Sequence, residues 1–271
     1  MSRLVMKFGG TSVGDVERIR RVARLVAAER ARGHAVAVVV SAMSGDTNRL
    51  VALAEEAGKG LPRDQFDDEY DVVVATGEQV TTGLLALALR AMGIPARSWQ
   101  GWQIRVASSD NHASARIAGI ESDEVAASID AGTIAIIPGF QGVTAEDRIT
   151  TLGRGGSDTS AVAVAAALGA ARCDIYTDVD GVYTTDPRLV PKAQRLAKIS
   201  YEEMLEMASL GAKVLQTRSV ELAMAKQVPV RVLSSFVEPD DPNPGTLVCD
   251  EEEIVEKQIV SGIAYSRDEA K

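Results

Sequence analysis

Six consecutive small or β-branched apolar residues at positions 35–40, AVAVVV, leave no polar face on any strand built from them. Such a strand must be covered on both sides, which is the situation of a central strand in a parallel sheet. Shorter runs of the same kind recur at 4–8, 134–137, 149–152, 174–177 and 229–233, and these are read as the strand set. Between them lie stretches with helical spacing. Residues 15–32 carry Val16, Ile19, Val22, Ala23, Val26 and Ala27 close to one stripe, and Gly33 stops the pattern. Residues 50–57 and 79–92 also read as helices, as does the alanine-rich 160–168, whereas DVVVA at 71–75 suits strand and helix equally. Strands alternating with helices predict an α/β fold in which helices cover a mostly parallel sheet.

Composition narrows the function. The 271 residues are 46% hydrophobic and 25% charged, the profile of a soluble globular chain long enough to bury a sizeable core. Lys plus Arg is 29 against 38 for Asp plus Glu, a net charge of −9 that opposes a phosphate polymer or an anionic bilayer. Neither a nucleic acid nor a membrane is expected as partner, although a locally basic pocket can still take a small anion. Cys173, Cys249, His34 and His112 show no metal-ligand spacing, so neither a disulfide scaffold nor a structural zinc site is expected. His112, Trp99 and Trp102 are read as packing or surface residues. There is no run of about 18 apolar residues, and the N-terminus is too polar for a signal peptide, so a cytoplasmic protein is expected.

Three segments carry chemistry. In the first, Lys7-Phe8-Gly9-Gly10-Thr11-Ser12 follows a strand and opens a helix, so glycine N–H groups and a lysine could meet a phosphate there. A tight turn beside a surface lysine explains this motif equally well. The second is GRGGSDTSA at 153–161. Asp158 there suits an N-cap, but Arg154 among three glycines gains little in stability and much in recognising a carboxylate or phosphate. The third is YTDVDGVYTTDPR at 176–188. With Asp174, its Asp178, Asp180 and Asp186 do not fit the calcium-loop register, and Asp180-Gly181 reads as an ordinary turn.

Together with SAMSGDTN at 41–48, TGE at 76–78, PGFQG at 138–142 and GAKVLQTRSVELA at 211–223, these segments resemble the catalytic domain of the aspartate kinases, in the amino-acid kinase superfamily. KFGGTSV with GRGGSDTSA separates that group from relatives acting on acetylglutamate, glutamate, carbamate or UMP. The resemblance implies a three-layer α-β-α sandwich, the amino-acid kinase fold. It also implies phosphorylation of the L-aspartate β-carboxylate by ATP with Mg²⁺, the first step toward lysine, threonine and methionine. On this resemblance Lys7 stabilises the transferring phosphoryl group, Gly9 and Gly10 donate N–H bonds to it, and Asp158 orients Lys7. Arg154 holds the aspartate α-carboxylate and Glu78 its α-ammonium, with Ser41, Thr47 and Ser157 near the substrate carboxylates. Thr177, Asp178, Tyr183, Arg188 and Lys213 match nucleotide contacts. Gln216-Thr217 stands where many members have His-Pro, a position expected to carry no chemistry.

The resemblance further implies a catalytic domain at 1–249 and a homo-oligomer. Residues 250–271, including a VSGIAY strand at 260–265, are expected to be a linker into ACT regulatory domains absent from this chain, leaving it insensitive to lysine and threonine. Two rival readings remain: another amino-acid kinase with a different acceptor, and a nucleotide-binding regulatory or storage protein without turnover.

Overall fold

The strand β1 (Arg3–Phe8) lies near the middle of an eight-stranded sheet, in parallel register with β2 (Ala35–Val40), where Lys7 sits opposite Val39. The structure is a computed structural model that describes residues 1–212, 214–241, 244–251 and 262. Both strands are buried along nearly their whole length, as a strand without a polar face requires. Successive side chains point to opposite faces. Leu4, Met6 and Phe8, with Val36, Val38 and Val40, pack against Ile19, Val22 and Val26 of α1 (Val16–Ala31). Val5, Ala37 and Val39 belong to the other core, and the same parity turns Lys7 to that side.

After α1 and β2 the chain forms α2 (Asp46–Ala57), α3 (Asp67–Val74) and α4 (Thr76–Ala91), then β3 (Ala96–Ser98) at one edge of the sheet. Residues 71–75, ambiguous by type, are helical apart from the junction at Ala75. Three acidic residues, Asp67, Asp68 and Glu69, fill the first turn of α3, where the partial positive charge of a helix start favours them. Residues 67–91 are long and apolar enough to cross a membrane by length and composition, yet half of the most apolar window is buried inside the protein, the mark of a core helix.

A smaller sheet in the order β5-β4-β7-β8 interrupts the main one, built from β4 (Val106–Ser108), β5 (Ile117–Ile120), β7 (Gln141–Val143) and β8 (Ile149–Thr151). The run at 149–152 therefore forms a strand outside the main sheet. Helix α5 (Asp123–Asp130) precedes β6 (Ile134–Pro138), which pairs with β2 and β3. Next come α6 (Gly156–Ala167), β9 (Arg172–Thr177), β10 (Lys198–Ser200), α7 (Tyr201–Ser209), α8 (Thr217–Lys226), β11 (Val230–Ser234) and β12 (Thr246–Cys249).

The main order is β10-β12-β11-β9-β1-β2-β6-β3, every contact parallel except β11 with β12. Helices α1 and α4 cover one face, and α5, α6 and α8 the other, giving the expected three layers. Strands β3, β4, β5, β7, β10 and β12 add to the expected set; with three or four residues each, they are too short to announce themselves as apolar runs. The VSGIAY segment lies outside the described residues apart from Gly262.

Ile19 is 1% exposed at the contact between α1 and the central strands. Ile19→Ala should lower unfolding free energy by about 2–5 kcal/mol, measured by urea denaturation, with steady-state constants little changed.

Candidate active site

Parallel strands present their C-terminal ends at one edge, and ligands of open α/β sheets bind there. The loops after β1, β2, β6 and β9 all open on that edge. The first begins at Gly9 and Gly10 and enters a 3-10 turn at Gly10–Val13. A Cβ at Gly10 would stand 3.0 Å from the Ala42 carbonyl oxygen, so the β1 and β2 loops fit closely only without a side chain there. Ser41 donates its N–H to the Phe8 carbonyl at 3.0 Å, and the Gly9 N–H reaches the Tyr176 carbonyl at 3.4 Å, tying this loop to its neighbours.

Lys7 Nζ lies 2.6 Å from Asp158 Oδ1, and both side chains are largely withdrawn from water. Asp158 stands in the first turn of α6, whose N-cap is Gly155 without a side-chain cap bond. The capping role open to Asp158 from sequence is therefore not the one it fills. It holds a lysine cation beside the glycine loop, which also decides against an ordinary surface lysine at position 7.

The three glycines of GRGGSD have separate steric reasons. Gly153 and Gly155 both adopt φ +72°, in the left-handed region. A Cβ at Gly155 would come 2.5 Å from Gln216 Cγ, and one at Gly156 would come 2.8 Å from Phe140 Cδ2. Ser157 sits against Gly139 in the same manner. Gln216, expected to carry no chemistry, is thus a packing support for this loop. Arg154 is exposed on it, with no hydrogen-bond or ion-pair partner among the described residues.

Glu78 opens α4 and is 3% exposed. Its Oε1 accepts from the Ala42 N–H at 3.0 Å, while Oε2 is buried without a partner. Burial pushes its carboxyl up from the ordinary 4.5 to about 7, against the lowering by backbone N–H bonds. A buried acceptor left open is costly, and a cationic group supplied from outside would satisfy it. Thr47, in the first turn of α2, shares no hydrogen bond with these groups among the described residues.

Beyond Gly9, a cavity of about 810 Å³ opens at the ends of β9 and β11, lined by Asp178, Tyr183, Arg188, Met207, Val214 and Ser234 among others. Three residues expected at a nucleotide thus come together. Thr177 adjoins them and donates to Asp178 at 3.1 Å, and Lys213 lies outside the described residues. Tyr183 donates to Asp180, and Arg188 pairs with Asp186. Met207 and Ser234 were not singled out from the sequence, where neither stands in a glycine or charge motif. Asp174 is different in kind: fully buried and held by Arg172 and Arg231, it is part of the scaffold.

The Glu78 carboxyl also links stability to pH. Its folded form binds a proton more tightly than the unfolded chain between about 4.5 and about 7, so stability should fall as pH rises through that window and level off above it. The loss should reach about 3 kcal/mol, read from urea denaturation at pH 5 and pH 8, and Glu78→Gln should remove it.

Comparison with known proteins places this geometry in a family. The family model described as the amino acid kinase family matches residues 2–234. The chain is 57% identical to an aspartate kinase of Stutzerimonas stutzeri strain A1501 over 273 residues, covering 100% of this chain and 64% of that protein. It therefore spans about two thirds of that relative's length. Among solved structures, the aspartate kinase of Synechocystis superposes with a TM-score of 0.78 at 47% identity, over 91% of this chain and 40% of that one. Aspartokinase III of E. coli, in complex with aspartate and ADP, gives a TM-score of 0.76 at 33% identity, over 91% of this chain and 64% of that one. Fold, glycine loops and family match agree: the chain belongs to the amino acid kinase family.

Proposed function

We propose that this chain transfers the γ-phosphoryl group of MgATP to the β-carboxylate of L-aspartate, giving 4-phospho-L-aspartate and ADP, with residues 1–249 as the catalytic unit. One observation carries the reading: the exposed guanidinium of Arg154, without a partner among the described residues, and the buried Glu78 carboxyl with an open oxygen stand on the loops at the edge that bears the Lys7–Asp158 pair. Cation and anion together suit the carboxylate and ammonium of an amino acid, whereas UMP would call for neither. The aspartate and ADP held by aspartokinase III support the same reading. Pairing of β12 with β10 and β11 supports a catalytic unit that runs to Cys249.

The chemistry asks little of the protein beyond placement and charge. A carboxylate with an ordinary pKa near 3.9 is ionised at neutral pH, so no general base has to make the nucleophile. The difficulty is to bring two anions together in line and to neutralise charge on the phosphoryl oxygens. Lys7, fixed by Asp158 and desolvated in advance, supplies a cation that need not reorganise during transfer. Gly9 has its N–H engaged by the Tyr176 carbonyl, against the expectation that it serves the phosphate, which leaves Gly10 at the entry to the 3-10 turn for phosphate oxygens, with Ser41, Thr47 and Ser157 as polar groups for the acceptor. The second substrate would be the magnesium complex of ATP, in which the ion's ligands would be phosphate oxygens and water and its charge would offset that of the phosphates. The cavity with Asp178, Tyr183 and Arg188 would hold the nucleoside, with Thr177 adjoining, and Lys213 is proposed as a nucleotide contact on resemblance alone. In this role the chain supplies the first step toward lysine, threonine and methionine.

ADP release dependent on both MgATP and L-aspartate tests the proposal directly; its absence would leave a nucleotide-binding protein without turnover. Lys7→Ala should lower kcat at least about a hundredfold, roughly 3 kcal/mol, and a variant keeping a tenth of wild-type kcat would refute the role. Arg154→Ala should raise the KM for aspartate about tenfold or more while the KM for ATP stays within about twofold, and Arg154→Lys should recover little because a point charge cannot reproduce a bidentate fork.

A further inference from the structure

Asp71 of α3 is fully buried and uses its carboxylate on a segment far from α3 in sequence. It accepts hydrogen bonds from the Thr151 hydroxyl and from the Ala113 N–H, the latter at 3.1 and 3.0 Å to its two oxygens. His112 Nδ1 lies 2.8 Å away. Ala113 is held at φ +61°, a left-handed conformation uncommon outside glycine, which the surrounding bonds must impose.

These contacts converge on the stem of the Arg154 loop. Thr151 ends β8, three residues before Arg154. The Ala115 N–H donates to the Thr151 carbonyl at 2.9 Å, and Arg218 of α8 donates to the carbonyls of Leu152 and Ala115. Gly153 rests on the same segment: a Cβ there would stand 3.4 Å from the Ala113 carbonyl oxygen. The Ala115 N–H and Arg218 hold the backbone of residues 151 and 152 directly, and Asp71 reaches it through the Thr151 side chain and the 112–115 segment.

We propose that Asp71, acting through Thr151 and the His112–Ala113 turn, is the positioning residue that fixes Arg154 for the substrate carboxylate. Asp71 need not touch the substrate; it sets the origin from which the guanidinium reaches it, and a bidentate contact tolerates little displacement. The inference rests on the reading of Arg154 as the aspartate-binding cation.

The test uses Thr151→Val, which removes the hydroxyl at nearly constant shape, with Thr151→Ser as the restoring variant, both in the full chain. Aspartate KM, ATP KM and kcat are measured alongside hydrogen–deuterium exchange of the backbone over residues 152–158. Thr151→Val should speed exchange in that segment and raise the aspartate KM at least fivefold, with ATP KM within twofold and kcat nearly unchanged, and Thr151→Ser should reverse both effects. Unchanged exchange would overturn the anchoring. Faster exchange with an unchanged aspartate KM, or equal rises in both KM values, would overturn the positioning role. If the wild-type chain shows no aspartate-dependent ADP release, the proposed function fails, and exchange still decides whether Asp71 anchors the loop.

Discussion

A lysine ammonium and an aspartate carboxylate 2.6 Å apart, both nearly withdrawn from water, join the central strand of the sheet to the helix that starts after the arginine loop. Burying two charges costs more than burying hydrocarbon of the same volume, and a well-packed apolar pair would commonly be at least as stable. The expense is met only if the pair is placed with care, and the scaffold provides that care. Strand parity turns Lys7 away from Leu4, Met6 and Phe8 toward α6. The glycines of the second loop let α6 begin close enough for Asp158 to answer. The surrounding loops are therefore arranged about a charge held ready.

The two halves of the site meet this demand by opposite means. Around Arg154 the backbone is shaped by steric fit, with Gly155 under Gln216 and Gly156 under Phe140, while the guanidinium itself stays exposed. Around Glu78 the backbone is an ordinary helix start, and the unusual feature is electrostatic: a carboxyl pushed up to about 7 by burial, with one oxygen unanswered. A zwitterion would relieve the second while engaging the first.

How far all this could be read from the residues depends on whether a feature is local. AVAVVV announces a strand covered on both faces because burial acts on every residue of the run, and β1, β6, β9 and β11 follow for the same reason. Strands such as β4 and β7 take their form from the partner beside them, and three residues hold no such message. Glycine loops were legible, since left-handed φ and close approach each select for a missing side chain. Glu78 was legible only through resemblance to other sequences, because nothing near it in the chain tells that it is buried. Asp71 was invisible as a site feature: it lies in a stretch that suits strand or helix, and its partners come from positions 112, 113 and 151.

The sheet order has a consequence for how the chain reaches this form. β1 is flanked by β2, which follows it closely, and by β9 at Arg172–Thr177. During synthesis one edge of the central strand therefore waits with its backbone groups unanswered until most of the sequence has emerged, a template for pairing with any other exposed strand. Pairings between segments so distant also close slowly. The fold that assembles the site at one edge thus leaves the strand bearing Lys7 open on one side until β9 is made, and misassembly is most open to the chain before that point.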